Sequence, residues 1–254
     1  MKKMMDALLL AAVVLGFLSQ PVFATPISGL MTIDPGLRIP RLGYVSGSYF
    51  AMFANNPNSG AAMLAPGSAG GLTLGSYQPF VLNPDVPHPH SPFGPGTGYS
   101  GTPTSISSLL APFGFFGVPT YVGTNPVSYQ SGNAHPVPTA SYDPASCVGT
   151  VCQLSMTLDA WEVMWNGSAF EQGPRPSNSG PFVPAVGTYD LSSHAYAVTW
   201  ASQIKNGPFN GVTGYWHLSG VVEPVSTVPE PPTLALFAVG LLALVGSIRR
   251  WTRS

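Results

Sequence analysis

The chain has 254 residues, of which 7% are charged and 44% hydrophobic, and it contains 29 glycines and 28 prolines. The formal net charge is −1, and without a basic stripe there is no electrostatic footprint for nucleic acid, which excludes it as a partner. The glycine and proline content places the chain near the border between turn-rich β protein and low-complexity polymer, and the hydrophobic share argues against full disorder.

At the N-terminus, Lys2 and Lys3 precede an apolar run from Ala7 to Leu18, and Val22 and Ala24 put small residues where a signal peptidase reads. This is the order of a secretory signal peptide over residues 1–24, with cleavage between Ala24 and Thr25. The body that follows, 25–228, holds four basic residues (Arg38, Arg41, Arg175, Lys205) against eight acidic ones, a formal charge of −4. It is long enough for one sizeable domain or two small ones.

Residues 25–78 are rich in Gly, Ser and Ala, with short apolar patches at Tyr44-Val45, Tyr49 to Phe53 and Leu72 to Leu74. These read as short strands between turns, the region being β or coil, and Ala61 to Leu64 is the one stretch with some helical propensity. Residues 79–146 carry thirteen prolines. Each removes a donor and restricts the residue before it, so few ladders are expected and an irregular or polyproline-like course is. The apolar island Leu109 to Val118 inside this region is expected to pack against the folded part.

Residues 147–225 change character. Leu154, Met156 and Leu158 alternate with polar partners, and Trp161, Val163 and Trp165 alternate in the opposite phase, which predicts a bulge or bend near Asp159-Ala160. Asn166-Gly167 then gives the strongest short-range hairpin signal, because both central residues of a type I′ turn need positive φ. A second set of strands runs through Tyr189 to Ile204, where Tyr196, Val198 and Trp200 share a face, and Asn206-Gly207 and Asn210-Gly211 mark turns before Tyr215 to Val222. The segment reads as an antiparallel, sandwich-like β module of four to six strands.

Cys147 and Cys152 are the two cysteines of the chain. In an exported protein a disulfide is the first reading, stabilising by roughly 2 kcal/mol on the chain-entropy estimate. Free thiols or a metal or redox pair are the alternatives, although redox pairs are more usually spaced Cys-x-x-Cys and two thiols alone make a poor zinc site. His88 and His90, with Asp85 and His135, invite a metal reading, but a proline-rich loop gives no reason for three or four ligands to converge. No metal or cofactor is therefore assigned. Asp159 and Glu162 fall on one predicted strand three apart and so point to opposite faces, which weakens a glycosidase-style pair; Glu171 and Asp190 are further candidates. No nucleophile elbow, P-loop, dinucleotide fingerprint or zinc-protease motif occurs, and the chain is not read as an enzyme. Trp161, Trp165, Trp200 and Trp216, with Tyr189, Tyr196 and Tyr215, read as core, the alternative being a sugar-stacking platform.

The tail, 226–254, begins with Pro229-Glu230-Pro231, continues in an uncharged apolar run from Thr233 to Ile248 and ends on Arg249, Arg250 and Arg253. Sixteen residues make a helix of roughly 24 Å, able to span a thinned bilayer, and the arginines favour a cytoplasmic C-terminus. This order resembles the PEP-CTERM sorting signal of Gram-negative bacteria, in which the membrane peptidase exosortase recognises Pro-Glu-Pro and removes the tail during export. The segments 165–173 and 206–222 look similar to a module of other such proteins that has no activity to carry over. The resemblance implies export across the inner membrane, a membrane-anchored precursor, processing by signal peptidase and exosortase, and release to the cell envelope, cell surface or extracellular matrix. Because exosortase systems accompany exopolysaccharide production, it also implies a structural or adhesive role beside extracellular polysaccharide. A glycan-binding, lectin-like module is the second reading and a hydrolase of extracellular polysaccharide the third.

Overall fold

The computed structural model describes residues 24–39, 44–52, 61–82, 103–177, 179–205 and 209–224. Among them there are strands and turns and no helix. In chain order the strands are β1 (Thr25–Ile27), β2 (Leu30–Thr32), β3 (Leu37–Ile39), β4 (Tyr44–Ser46), β5 (Tyr49–Ala51), β6 (Ala62–Met63), β7 (Gly71–Thr73) and β8 (Phe113–Phe115). There follow β9 (Val118–Thr124), β10 (Thr139–Val148), β11 (Val151–Thr157), β12 (Trp161–Trp165), β13 (Ser168–Glu171), β14 (Ala185–Asp190), β15 (Ala195–Gln203) and β16 (Thr213–Glu223). All pairings between them are antiparallel, as a mainly β chain rich in short connections requires.

The larger sheet runs β1-β10-β11-β14-β15-β16-β2-β7, with β5 also on β16 and β6 on β5; a second sheet runs β13-β12-β9-β8, and β3 pairs with β4. β1 opens the larger sheet and β2 lies six places along it, yet only Ser28 and Gly29 connect them. In a flat sheet those strands would be about 29 Å apart, and two residues cannot span that, so the sheet curls. The amide of Gly75, just past β7, accordingly donates to the Pro138 carbonyl just before β10 at 2.9 Å. Gly220 lies where a Cβ would land on the Thr32 carbonyl oxygen, so glycine lets β2 approach β16.

The phase reversal near Asp159 has a cause that sequence could not show. Of the bulge or bend expected there it is the bend, a turn closed by the Trp161 amide on the Leu158 carbonyl at 2.9 Å, and it carries the chain from the larger sheet into the smaller one. Asp159 and Glu162 therefore do not share a strand. Asn166 and Gly167 have φ of 47° and 75° and close the β12–β13 hairpin as expected.

The described part of the proline-rich stretch, 79–82 and 103–146, is more regular than its composition suggests. β8, β9 and most of β10 fall within it, and the two prolines inside β9 and β10 sit where ladders tolerate them: Pro119 ahead of the β9–β12 pairing, which begins at Thr120, and Pro144 inside the register break between Asp143 and Val148. Ala61 to Leu64 contributes β6 and not a helix. β2, β5 and β7, from the Gly/Ser/Ala-rich region, pair into the sheet that holds β11 and β14 to β16, so that sheet is continuous across the boundary of the 147–225 segment.

The core lies between the two sheets. Leu154, Met156, Val198, Trp200, Trp216 and Leu218 from the larger sheet meet Val122, Trp161, Val163 and Phe170 from the smaller, with Met31, Leu64, Leu72, Leu109 and Leu110 filling in. Trp161 packs edge-on to Trp200 at 5.2 Å and to Trp216 at 5.4 Å between ring centres, and the last two stack at 5.8 Å. On the far side of the smaller sheet, Met164 packs with Phe80 and Leu82.

Candidate functional site

A group of buried polar side chains among the described residues sits on the β12–β13 hairpin. Trp161, Val163 and Trp165 turn toward the main core, so by strand alternation Glu162 faces the opposite side with Met164, beneath the connection 125–135. Glu162 is 2% exposed. It accepts from Asn125 Nδ2 at 2.6 Å, Ser128 Oγ at 3.1 Å and the Gln130 amide at 3.1 Å. Its cross-strand partner is Glu171, also buried. Glu171 accepts from Ser131 Oγ and, at 3.0 Å, from Arg175, and His135 Nε2 lies 3.4 Å from its Oε1. The Glu171 amide in turn donates to Gln130 Oε1 at 2.7 Å.

Opposite environments push the two carboxyls apart. Burial raises Glu162 above the ordinary carboxylate range, and its hydrogen bonds only partly offset that. Burial also raises Glu171, but the contacts with His135 and Ser131 and the Arg175 charge outweigh it and hold the group down at about 2. Arg175 completes the cluster over the Phe182 ring, 5.0 Å from its centre, while the His135 ring meets the same phenyl edge-on at 5.2 Å. A split carboxyl pair is where acid–base chemistry is sought. Here the donors around both carboxylates come from the chain itself, and their effect is to fasten the 125–135 connection onto the hairpin.

Next to Glu171, Gln172 ties this cluster to the tryptophans. Its carbonyl accepts from Trp200 Nε1 at 2.9 Å, its Oε1 from Trp216 Nε1 at 3.4 Å, and its Nε2 donates to the Glu171 carbonyl at 3.0 Å. Trp161, Trp200 and Trp216 are thereby core residues with bonded or enclosed indoles, and Trp165, half-buried, donates to the Phe115 carbonyl at 3.0 Å. Beside them a cavity of about 40 Å³ is lined by Phe50, Phe113, Phe115, Phe170 and Ile204 among others.

The other sequence candidates lie apart. Asp159 stands in the turn before β12, its carboxyl raised by burial and lowered in smaller part by His135. Asp190 ends β14 at the opposite end of the larger sheet, where hydrogen bonds from Ser192 hold it down at about 2. Cys147 and Cys152 are joined as a disulfide closing the β10–β11 hairpin. Ala24 is the first described residue and Thr25 opens β1. Asp85, His88, His90, Pro229, Glu230, Pro231, the apolar run 233–248 and Arg249, Arg250 and Arg253 lie outside the described residues. Among the described residues no group of three or more His, Cys, Asp or Glu is placed to hold a metal ion, and no helix is long and apolar enough to cross a membrane.

Sequence reasoning named Glu162, Glu171 and His135 but not their partners. Asn125, Ser128 and Gln172 are missed because nothing in their spacing ties them to residues 28 to 44 positions away. The polar pair Glu171-Gln172 directly after the apolar Ala169-Phe170 is the one local signal that a strand end carries buried polar groups.

No curated protein and no solved structure matches this chain. Residues 227–250 match the family model described as the PEP-CTERM protein-sorting motif, which takes in Pro229-Glu230-Pro231, the apolar run and the first two arginines. The C-terminal region is thus a PEP-CTERM sorting motif, the mark of an exported protein that passes through a membrane-anchored precursor to processing by exosortase.

Proposed function

We propose that the exported body is a non-enzymatic structural or adhesive component of the cell envelope, cell surface or extracellular matrix, working beside exopolysaccharide. The observation that carries this reading is the use made of the reactive side chains. Glu162, Glu171 and Arg175 are buried, the two carboxylates accept hydrogen bonds from the chain's own 125–135 connection and from Arg175, His135 Nε2 lies 3.4 Å from Glu171, and Trp161, Trp200 and Trp216 are packed against one another. Such an arrangement stiffens a β body. Fractionation of cells producing the protein tests the reading. It is expected in the surface or polysaccharide-rich fraction, and deleting it is expected to weaken matrix cohesion without removing any hydrolytic activity. Recovery only from the soluble periplasm would refute it. A glycan-binding role is the second reading, favoured by the composition of the larger sheet's outward face.

A further inference from the structure

That outward face is unusual for a water-exposed surface in having two rows free of Asp, Glu, Lys and Arg. Successive registers place Ser155, Val186, Thr199, His217 and Tyr49 in one row across β11, β14, β15, β16 and β5, and Gln153, Thr188, Ala197 and Ser219 in the next. At about 4.8 Å between strands, each row runs for roughly 14–19 Å without an ionisable group other than His217 and Tyr49. Burial shifts His217 toward its neutral form. Its ring is fixed by Thr199 Oγ1 at 3.0 Å from Nδ1 and stacks on Tyr49 at 5.1 Å, so the patch has one rigid aromatic step. Among the described residues, Asp143 and Ser219-bound Asp34 stand beside the second row and Asp190 and Glu223 at the ends of β14 and β16, while exposed Lys205 lies two residues past the end of β15.

We propose that this face binds neutral polysaccharide, with the Ser155 and Thr188 hydroxyls and the Gln153 amide meeting sugar hydroxyls and the Tyr49–His217 stack supporting a sugar ring. Charge selects the ligand. The four carboxylates around the rows disfavour anionic polymers, and the rows themselves carry no lysine or arginine to hold them. A second copy of this chain fits poorly, because protein interfaces favour large aromatics, Met and Arg and are poor in Ser and Ala. The assignment rests on the exported body working beside polysaccharide and adds which surface and which glycan class.

The exported protein, purified from cells, is passed over amorphous cellulose, cross-linked dextran and alginate beads at low and at 1 M salt. Retention is expected on at least one of the two neutral polymers, unchanged by salt, and not on alginate. Thr188→Lys/Thr199→Lys should lower that retention at least tenfold with an unchanged melting temperature, and Tyr49→Ala should lower it severalfold. No retention on either neutral polymer, equal retention of the lysine variant, or salt-sensitive retention on alginate would each overturn the proposal. A wild-type dimer in solution that the lysine variant abolishes would assign the face to a second copy instead. If the lysine variant still enters the polysaccharide fraction of cells as the wild type does, the face assignment fails alone. If the wild type is absent from that fraction, the broader reading fails with it.

Discussion

Replacing Trp200 by alanine probes the centre of the body. Its ring is 5% exposed, edge-on to Trp161, stacked on Trp216 and hydrogen-bonded through Nε1 to the Gln172 carbonyl. Removing a buried tryptophan costs about 3–5 kcal/mol in transfer and cavity terms, and the Gln172 carbonyl loses a partner worth about 1 kcal/mol. For a domain of this size each kcal/mol shifts the melting temperature by about 2–4 °C, so the combined loss of about 4–6 kcal/mol predicts a fall of roughly 8–24 °C. Trp200→Phe keeps an aromatic ring and should lose less than half as much. The assay is a circular dichroism melt of the exported protein beside its retention on the polysaccharide beads. A Trp200→Ala protein that melts like the wild type but no longer binds glycan would refute the core reading and return the tryptophans to a surface platform.

The acid side of the stability profile is set in part by Glu171. Its folded-state carboxyl, near 2, lies below the ordinary 4.5, so its stabilisation is complete above the ordinary range and is lost as pH falls through it toward 2. Glu162 acts with the opposite sign, its burial-raised carboxyl favouring the fold as pH falls. Glu171→Gln should therefore melt lower than the wild type at pH 7 and decline less steeply below pH 4.5; parallel melting curves across that range would remove the Glu171 cluster from the stability account. Gly220→Ala drives a Cβ into the Thr32 carbonyl and should cost about 1–3 kcal/mol by prising β2 from β16, which a melt at neutral pH reads directly. Thiol labelling of the denatured, unreduced exported protein should find no free cysteine, and Cys147→Ser/Cys152→Ser should lower stability by about 2 kcal/mol.

How much of this was legible depends on the range of the interaction. The Asn166-Gly167 turn and the alternation along β15 and β16 are local, and each was readable because neighbours in sequence decide it. The phase switch at Asp159 was visible while its meaning was not, since only the fold shows that β11 and β12 belong to different sheets. Strands of three residues such as β2 and β5 are too short to show a period, and their pairing with Val222 and Trp216 closes loops of some 170 to 190 residues. The β8–β9 turn was hidden for another reason. Phe116 and Gly117 take φ of 48° and 75° where asparagine and glycine are the usual signal. At the polar cluster the acids were nameable, yet their role in pinning the 125–135 connection depends on how that connection folds back.

The central claim is that this chain is an exported body delivered through a sorting motif, and the mass of the intact protein recovered from the cell surface and the medium tests it most directly. The account predicts a species that begins at Thr25 and lacks Leu234 to Ser254, and a precursor that stays in the membrane when Pro229, Glu230 and Pro231 are replaced by alanine. A surface or secreted protein that still carries Arg249, Arg250 and Arg253 in wild-type cells would contradict it.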